Sequence, residues 1–428
     1  MRVFIRSFGC STNLADGEVL AGCLARAGYE LVDSASSAGI VVYNTCAVKG
    51  PTESRIVEAL RHIPKSKKLV VAGCLPYVNL KRLQHDVRFD GIVGPAAGES
   101  IVEVVDRVAQ GGSTNVPEPT ACDLPKLTLP RVRSSSVVSI VPVSYGCLGS
   151  CAYCCVVLAR GRLKSYAIAD IVHRVKDDLK LGFQEFWLTS QDVACFGRDK
   201  DTNVAELLRA LCAVEGDFKV RMGMMTPNMV VDMLEDLLQV FENEHVFKFL
   251  HLPVQSGDDD VLKSMGRFYS AKDFREVVYA FRRRFSKLTL ATDVICGFPG
   301  ENDAAFGRTM QLMEQVEPDI VNVSKFFARP NTPAVNMKEH FVPFAEIKRR
   351  STKAAVLARR IASENNQRWV GWEGRILVDE KGKTPGSWVG RNFAYKPVTI
   401  KTDEDIMGKS LSISVTNAFS TYLEGRQA

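Results

Sequence analysis

The chain is 428 residues long, with 55 Lys and Arg against 49 Asp and Glu, 12 cysteines and 46% hydrophobic side chains. These figures exclude a disordered, collagen-like or disulfide-stapled chain and leave room for about two to four globular domains. A net charge of +6 is too small by itself to argue for nucleic-acid binding.

No run of about 18 uncharged apolar residues occurs, so no membrane-spanning helix is expected. The start, MRVFIRSFGCSTN, lacks the apolar stretch and cleavage site of a secretory signal. A reducing cytoplasm is therefore expected, where clustered thiols serve as metal ligands or catalysts more often than as disulfides.

The first part of the chain alternates strand and helix patterns. MRVFIRSFG reads as a strand, Leu14–Leu31 as a helix, residues 40–46 as a buried strand and Thr52–Ile63 as a helix. Residues 68–74 are strand again, Leu80–Val87 helix, FDGIVG strand and Glu99–Ala109 helix. Short apolar runs separated by helices predict βαβ units and a parallel sheet. Residues 111–136, with Pro117, Pro119, Pro125 and Pro130 among Gly and Ser, read as a linker. Candidate strands at 137–145, 185–190, 218–224, 247–254, 289–296 and 319–327 follow. Six such units predict an incomplete parallel barrel with its chemistry at the C-terminal strand ends. A basic helix runs from about Pro343 to Asn366, and 367–428 breaks into short β-type runs that read as a small β-barrel.

Directly after the strand VVSIVPVSYG comes Cys147-Leu-Gly-Ser-Cys151-Ala-Tyr-Cys154. One loop can wrap three such thiolates around a cuboidal [4Fe–4S] cluster, leaving one iron free of protein ligand. The alternative is a zinc knuckle completed by Cys155 or a His. Cys10, Cys46 and Cys74 each end a strand of the first series. Carboxyl edges of parallel strands converge on one crevice, so three separated thiols there suit a second cluster. The alternative is three buried core cysteines. Cys23, Cys122, Cys155, Cys195, Cys212 and Cys296 share no pattern.

CxxxCxxC at the end of the first of six βα units resembles the radical S-adenosylmethionine (SAM) enzymes. That resemblance implies that SAM chelates the open iron through its amino and carboxylate groups, and that reduction yields a 5′-deoxyadenosyl radical. Two three-cysteine sites followed by a small β-barrel resemble, more narrowly, the methylthiotransferases. Residues 1–110 resemble that family's N-terminal domain through Gly9-Cys10, Asn13, Asp16, Glu18, Asn44-Thr45-Cys46 and Gly73-Cys74. The middle resembles its radical SAM domain through GCLGSCAYC, Ala159-Arg160-Gly161, LTSQD, MTP, HLPVQSG, TDVICGFPGE and ARPNTPA. Ser190, Asn331 and Asp258 depart from residues common in the family.

The fold class expected on this basis is α/β: an N-terminal parallel-sheet domain (1–110) with an auxiliary cluster, a linker (111–136), a partial (βα)6 radical SAM barrel (137–366) and a TRAM RNA-binding β-barrel (367–428). CLGSCAYCCVVLARGRLKSY and FFARPNTPA resemble most the archaeal and eukaryotic branch, which adds a methylthio group to C2 of N6-threonylcarbamoyladenosine at position 37 of tRNA. The resemblance implies two [4Fe–4S] clusters, on Cys10, Cys46 and Cys74 and on Cys147, Cys151 and Cys154, with SAM, an electron donor such as a ferredoxin or flavodoxin, a sulfur donor and a tRNA anticodon loop as partners.

An aromatic C2 is unactivated, so a cofactor radical and not acid–base chemistry must remove its hydrogen. Gln191 and Asp192 are candidate contacts to the SAM amino group or the nucleotide, Gln255 and Ser256 to ribose or carboxylate, and Asp293 opens on the same rim. Arg160 and Arg329 are candidate charge partners of a cluster or cofactor, or structural ion pairs. From Phe341 to Arg375 eight Lys and Arg stand against three acids, beside Trp369 and Trp372, a pattern for phosphate contacts and base stacking. Alternative substrates are isopentenyladenosine-37 of tRNA and ribosomal protein S12; the non-enzymatic alternative is a zinc-containing RNA-binding protein.

Overall fold

A computed structural model describes residues 1–114 and 124–427; Pro117, Pro119 and Cys122 lie outside them. The first five strands form one all-parallel sheet in the order Glu30–Leu31, Arg2–Ser7, Ile40–Thr45, Lys68–Gly73, Gly91–Ile92. IVVY and LVVAG within these strands are unbroken apolar runs because both faces are covered. Alternate residues enter two cores: Val41, Tyr43, Leu69 and Val71 pack with the helix Gly50–Arg61, and Ile40, Val42 and Val70 with the helices Ser11–Arg26 and Ser100–Ala109. The first helix stops at Arg26, short of the expected Leu31. Gly28 turns to φ +89°, and the released chain adds the edge strand Glu30–Leu31, which the helical pattern concealed.

The second sheet system is an open parallel barrel. Val138–Pro142, Glu185–Thr189 and Lys219–Arg221 pair in sequence, as do Phe249–His251, Thr289–Cys296 and Ile320–Lys325. The two halves join through a parallel bridge between Val220 and Val246. Strands three and four are shorter than expected. The chain after Arg221 peels away into the helix Pro227–Val231, and Pro253, with no N–H to donate, lies beyond the end at His251. The helix Phe344–Gln367 packs against the sixth strand.

The last five strands, Glu373–Lys381, Ser387–Arg391, Pro397–Lys401, Ser410–Ala418 and Leu423–Gln427, close into a small barrel around Ile376, Val378, Trp388, Val398 and Ile413. This barrel docks against the amino ends of the parallel strands. Tyr395 packs on Phe247 and Phe249 with ring centroids 4.9 and 5.1 Å away, Lys396 pairs with Asp319 at 2.7 Å, and Phe393 O accepts from Lys248 N at 2.8 Å.

The N-terminal domain leans on the opposite side. Its helix Ser11–Arg26 runs along the first barrel strand, with Ser11 and Thr12 hydroxyls 2.7 and 3.0 Å from Thr189 Oγ1 at the rim. The described part of the linker is strapped down: Val132 N donates to Glu18 O at 3.0 Å, Ser134 N and Oγ donate to Glu18 Oε1 at 2.9 and 2.6 Å, and Leu129 enters the first domain's core.

Candidate active site

The first barrel strand continues into Ser144–Tyr145, which pairs antiparallel with Lys164–Ser165 and closes the base of the loop bearing Cys147, Cys151 and Cys154. Gly146 (φ +74°) makes that closure possible, since a Cβ there would lie 2.1 Å from Arg162 O. Each of the three half-buried sulfurs receives a donor. Gly149 N reaches Cys147 Sγ at 3.2 Å, Val156 N reaches Cys154 Sγ at 3.4 Å, and Arg267 Nη1 reaches Cys151 Sγ at 3.4 Å. Such donors favour the thiolate. A hydrogen bond from Cys195 holds the Cys147 thiol below its ordinary range and raises Cys195 in turn. Burial, reinforced by Cys151, pushes Cys154 up to about 12, the strain of crowded sulfurs that a bound cation relieves. Among the described residues no three His, Cys, Asp or Glu side chains are grouped to hold a single metal ion.

Around the rim, Asp192 Oδ1 accepts from Ala194 N and Thr226 N, both at 3.1 Å, so it shapes the turn after the second strand. Its neighbours Ser190 Oγ and Gln191 Oε1 are buried without a hydrogen-bond partner. Gln255 sits at φ +68° and its backbone bonds Asp293 O and Ile295 N at 2.8 and 2.9 Å. Ser256 is fully buried and faces Thr309 at 3.3 Å, so it buttresses the loop from behind. Asp293 accepts from Asn322 at 2.6 Å and meets His251 Nε2 at 3.1 Å. Burial opposes ionisation, yet the His251 contact keeps the Asp293 carboxyl below the usual range.

The second trio is assembled from three strand ends. Cys10 caps the helix Ser11–Arg26, Cys46 follows Ile40–Thr45 and Cys74 follows Lys68–Gly73. Asn13 and Asn44 clamp two of these turns reciprocally, each Nδ2 donating to the other's carbonyl at 3.2 and 2.6 Å. Gly9 (φ +101°) lets the first turn approach, because a Cβ would stand 2.8 Å from Cys46 Sγ. Burial, with the charges of Cys10 and Cys74, pushes Cys46 up to about 11. Burial also raises Cys74, while the Arg160 guanidinium opposes that rise.

Arg160 thus points into the N-terminal trio although it lies only a helical turn past Cys154. Its Nη2 pairs with Asp16 at 2.7 Å and Asn13 at 3.2 Å, its guanidinium lies over Tyr145 at 5.6 Å, and its buried Nη1 has no partner. Arg329 pairs with buried Glu53, which also takes Arg82 at 2.8 Å. It lies beside Cys155, whose thiol donates to Ala47 O at 3.4 Å. Arg329 is therefore an ion pair between domains.

Sequence reasoning missed Arg267, Cys195 and the bridging role of Cys155; none carries a spacing signal, since each reaches the loop from another part of the fold. The basic junction also differs from expectation. Trp369 is core of the small barrel and offers no stacking face. Arg349, Arg350, Arg360 and Arg368 are spent on Glu346, Glu301, Glu314 and Glu317, because acids on neighbouring turns and elements sit within reach of the helix.

An open parallel barrel with three thiols on the loop after its first strand defines a radical SAM enzyme. Residues 141–313 match the Radical SAM superfamily, 2–94 the Uncharacterized protein family UPF0004 and 367–427 the TRAM domain. The chain is 40% identical over 427 residues to a probable threonylcarbamoyladenosine tRNA methylthiotransferase of Pyrococcus horikoshii, covering 99% of both chains. It is 34% identical over 433 residues to the human threonylcarbamoyladenosine tRNA methylthiotransferase, covering 99% of this chain and 74% of that one. In fold it is similar to the radical SAM methyltransferase TsrM of Kitasatospora setae (TM-score 0.59, 14% identity, 94% of this chain and 80% of that one). The chain belongs to the threonylcarbamoyladenosine tRNA methylthiotransferase family. It is an enzyme whose radical SAM domain implies a [4Fe–4S] cluster and SAM, and the expected α/β, barrel and TRAM architecture is borne out. Among the described residues no helix is long and apolar enough to cross a membrane.

Proposed function

We propose that this chain transfers a methylthio group to C2 of N6-threonylcarbamoyladenosine at position 37 in the anticodon loop of tRNA, using SAM and two [4Fe–4S] clusters. The observation that carries the reading is the pairing of two cysteine trios across one rim, linked by Arg160. Cys147, Cys151 and Cys154 hold the first cluster, and Cys10, Cys46 and Cys74 the second. Both sets fit such groups: burial raises the Cys154, Cys46 and Cys74 thiols, backbone and arginine donors reach the first set, and the orphaned Arg160 Nη1 supplies a donor toward the second. A reduced cluster with SAM bound supplies a carbon radical able to take the C2 hydrogen.

The chain's own residues position the rest. Gln191 Oε1, buried and free, accepts from the SAM amino group, while Asp192 and Gln255 hold the rim turns and Ser256 braces them. Asp293, ionised beside His251, accepts a hydroxyl or amino group of SAM or the nucleotide. Arg160 balances the second cluster's charge, and Arg329 holds the two domains in register. On this reading 1–110 carries the auxiliary cluster, 137–366 the radical chemistry and 367–428 the RNA contact. An electron donor such as a ferredoxin or flavodoxin and a separate sulfur donor would serve the clusters that these cysteines would hold, and the reaction takes place in the cytoplasm.

Mass spectrometry of tRNA nucleosides from cells with and without the gene tests this. Loss of the methylthio-threonylcarbamoyl nucleoside is expected. Loss of a methylthio-isopentenyl nucleoside instead, or of a modification on ribosomal protein S12, would overturn the substrate.

A further inference from the structure

A sizeable cavity lies away from the cysteines. It has a volume of about 650 Å³ and opens beside the sixth barrel strand, between the barrel interior, the helix Phe344–Gln367 and the small C-terminal barrel. Arg221, Phe249, His251, Asn322 and Tyr395 are among its walls. Cations outnumber acids along it, and the acid is spent: Asp319 is tied to Lys396 at 2.7 Å and to Leu290 N at 2.8 Å. Arg391 on the same wall is tied to Asp379 at 3.0 Å.

Arg221 is different. Its guanidinium lies over Trp187, Phe249 and Tyr395 at 5.2, 5.0 and 5.2 Å. It makes no hydrogen bond or ion pair with any described residue, and its buried Nε has no partner. Glu185, the neighbouring acid, bonds Trp187 Nε1 and is pushed up to about 8 by burial and by Asp379, so near neutral pH it leaves the guanidinium uncompensated. A half-buried cation held rigid on three rings, with its donors unused, is built to receive an anion.

We propose that Arg221 binds the carboxylate of the amino-acid arm on N6 of the target adenosine, making this cavity the site that distinguishes the threonylcarbamoylated base from plain adenosine. The inference rests on the proposed substrate. Depth agrees with it: Arg221 pairs with Trp187, two residues short of Thr189 at the rim, about 7 Å down at the usual strand rise. C2 and N6 share the Watson–Crick edge of adenine with N1 between them, so when C2 meets the rim chemistry the amino-acid arm on N6 starts beside the rim and, several bonds long, extends inward to that depth. His251, on the cavity wall, is bonded to Asp293 above it.

The test compares synthetic anticodon stem-loops carrying threonylcarbamoyladenosine, its carboxamide analogue or adenosine at position 37, bound to the cluster-loaded full-length protein and measured by fluorescence anisotropy. The wild-type chain is expected to prefer the acid over both others by about tenfold to a hundredfold, the worth of a charged hydrogen bond. Arg221→Gln should bring the three affinities together, and Arg221→Lys should keep part of the preference. Equal wild-type binding of acid and carboxamide overturns the proposal, as does a preference that survives in Arg221→Gln. The carboxamide comparison needs no variant, so a misfolded Arg221→Gln leaves the proposal testable. Wild-type turnover of the threonylcarbamoyl stem-loop separates the two readings: its absence sinks the proposed substrate, whereas turnover without carboxylate preference sinks only the role of Arg221.

Discussion

The two ends of the parallel barrel are built from different chemistry. The carboxyl end faces sulfur: three cysteines on its own first loop and three more on strand ends of the N-terminal sheet that leans against it, with backbone N–H groups and arginines aimed at them. The amino end carries charge and rings: Glu185, Arg221, Lys248, Phe247 and Phe249, closed by Tyr395 and Lys396 of the small barrel. One end is made to hold metal clusters, the other to hold a second domain and the floor of a cavity. The contrast shows how one barrel supports redox chemistry at one end and polar recognition at the other without mixing them, because the low-dielectric interior strengthens whichever charges each end presents.

The largest effects belong to the sulfur end. Cys147→Ala should abolish reductive cleavage of SAM, followed as 5′-deoxyadenosine by chromatography. Cys46→Ala should leave that cleavage in place, lose the methylthio product and halve the iron from about eight to about four per chain. Full product from Cys46→Ala would merge the two trios into one functional site and erase their division of labour.

Next in size is the bridge between them. Arg160→Met strips a buried partner from Asp16, whose side chain is 2% exposed, and should cost about 3–5 kcal/mol in unfolding experiments. A loss under about 1 kcal/mol would make the contact between the domains incidental.

The smallest effect probes the charged end. The folded pKa of Glu185 is raised from 4.5 to about 8. Its protonation therefore stabilises the fold fully below the unfolded value, and that contribution is lost as pH rises toward about 8. Glu185→Gln should flatten the decline, so the variant gains on wild type by about 1–2 kcal/mol between about pH 6 and about pH 8. Parallel stability curves would show that this end holds an ionised pair instead.

How much of this was legible beforehand depends on range along the chain. Cys147, Cys151 and Cys154 announce themselves because one short loop carries all three, and the spacing alone encodes the geometry. Cys10, Cys46 and Cys74 were legible only as strand ends, and their convergence depends on three parallel strands being adjacent in the sheet. Arg160 and Arg329 were legible as charges, without partners. Ser256 reads like a ligand-facing residue in HLPVQSG, yet its side chain turns into the wall, and Trp369 reads like a stacking platform yet fills a core. A residue's type states what it can do, while burial and neighbours decide which of those options is open.

The sequence by itself determined the periodicities, the order of elements, the thiol loop and the punctuation by Gly and Pro, since all of these follow from local backbone and side-chain physics. Only the tertiary structure decided that Arg160 crosses to the other trio, that Arg329 answers Glu53, that the basic helix spends half its charge on nearby acids, and that Arg221 is left without a partner. Those are long-range contacts between elements far apart in the chain, and electrostatic energies depend on distance and burial that no local pattern carries.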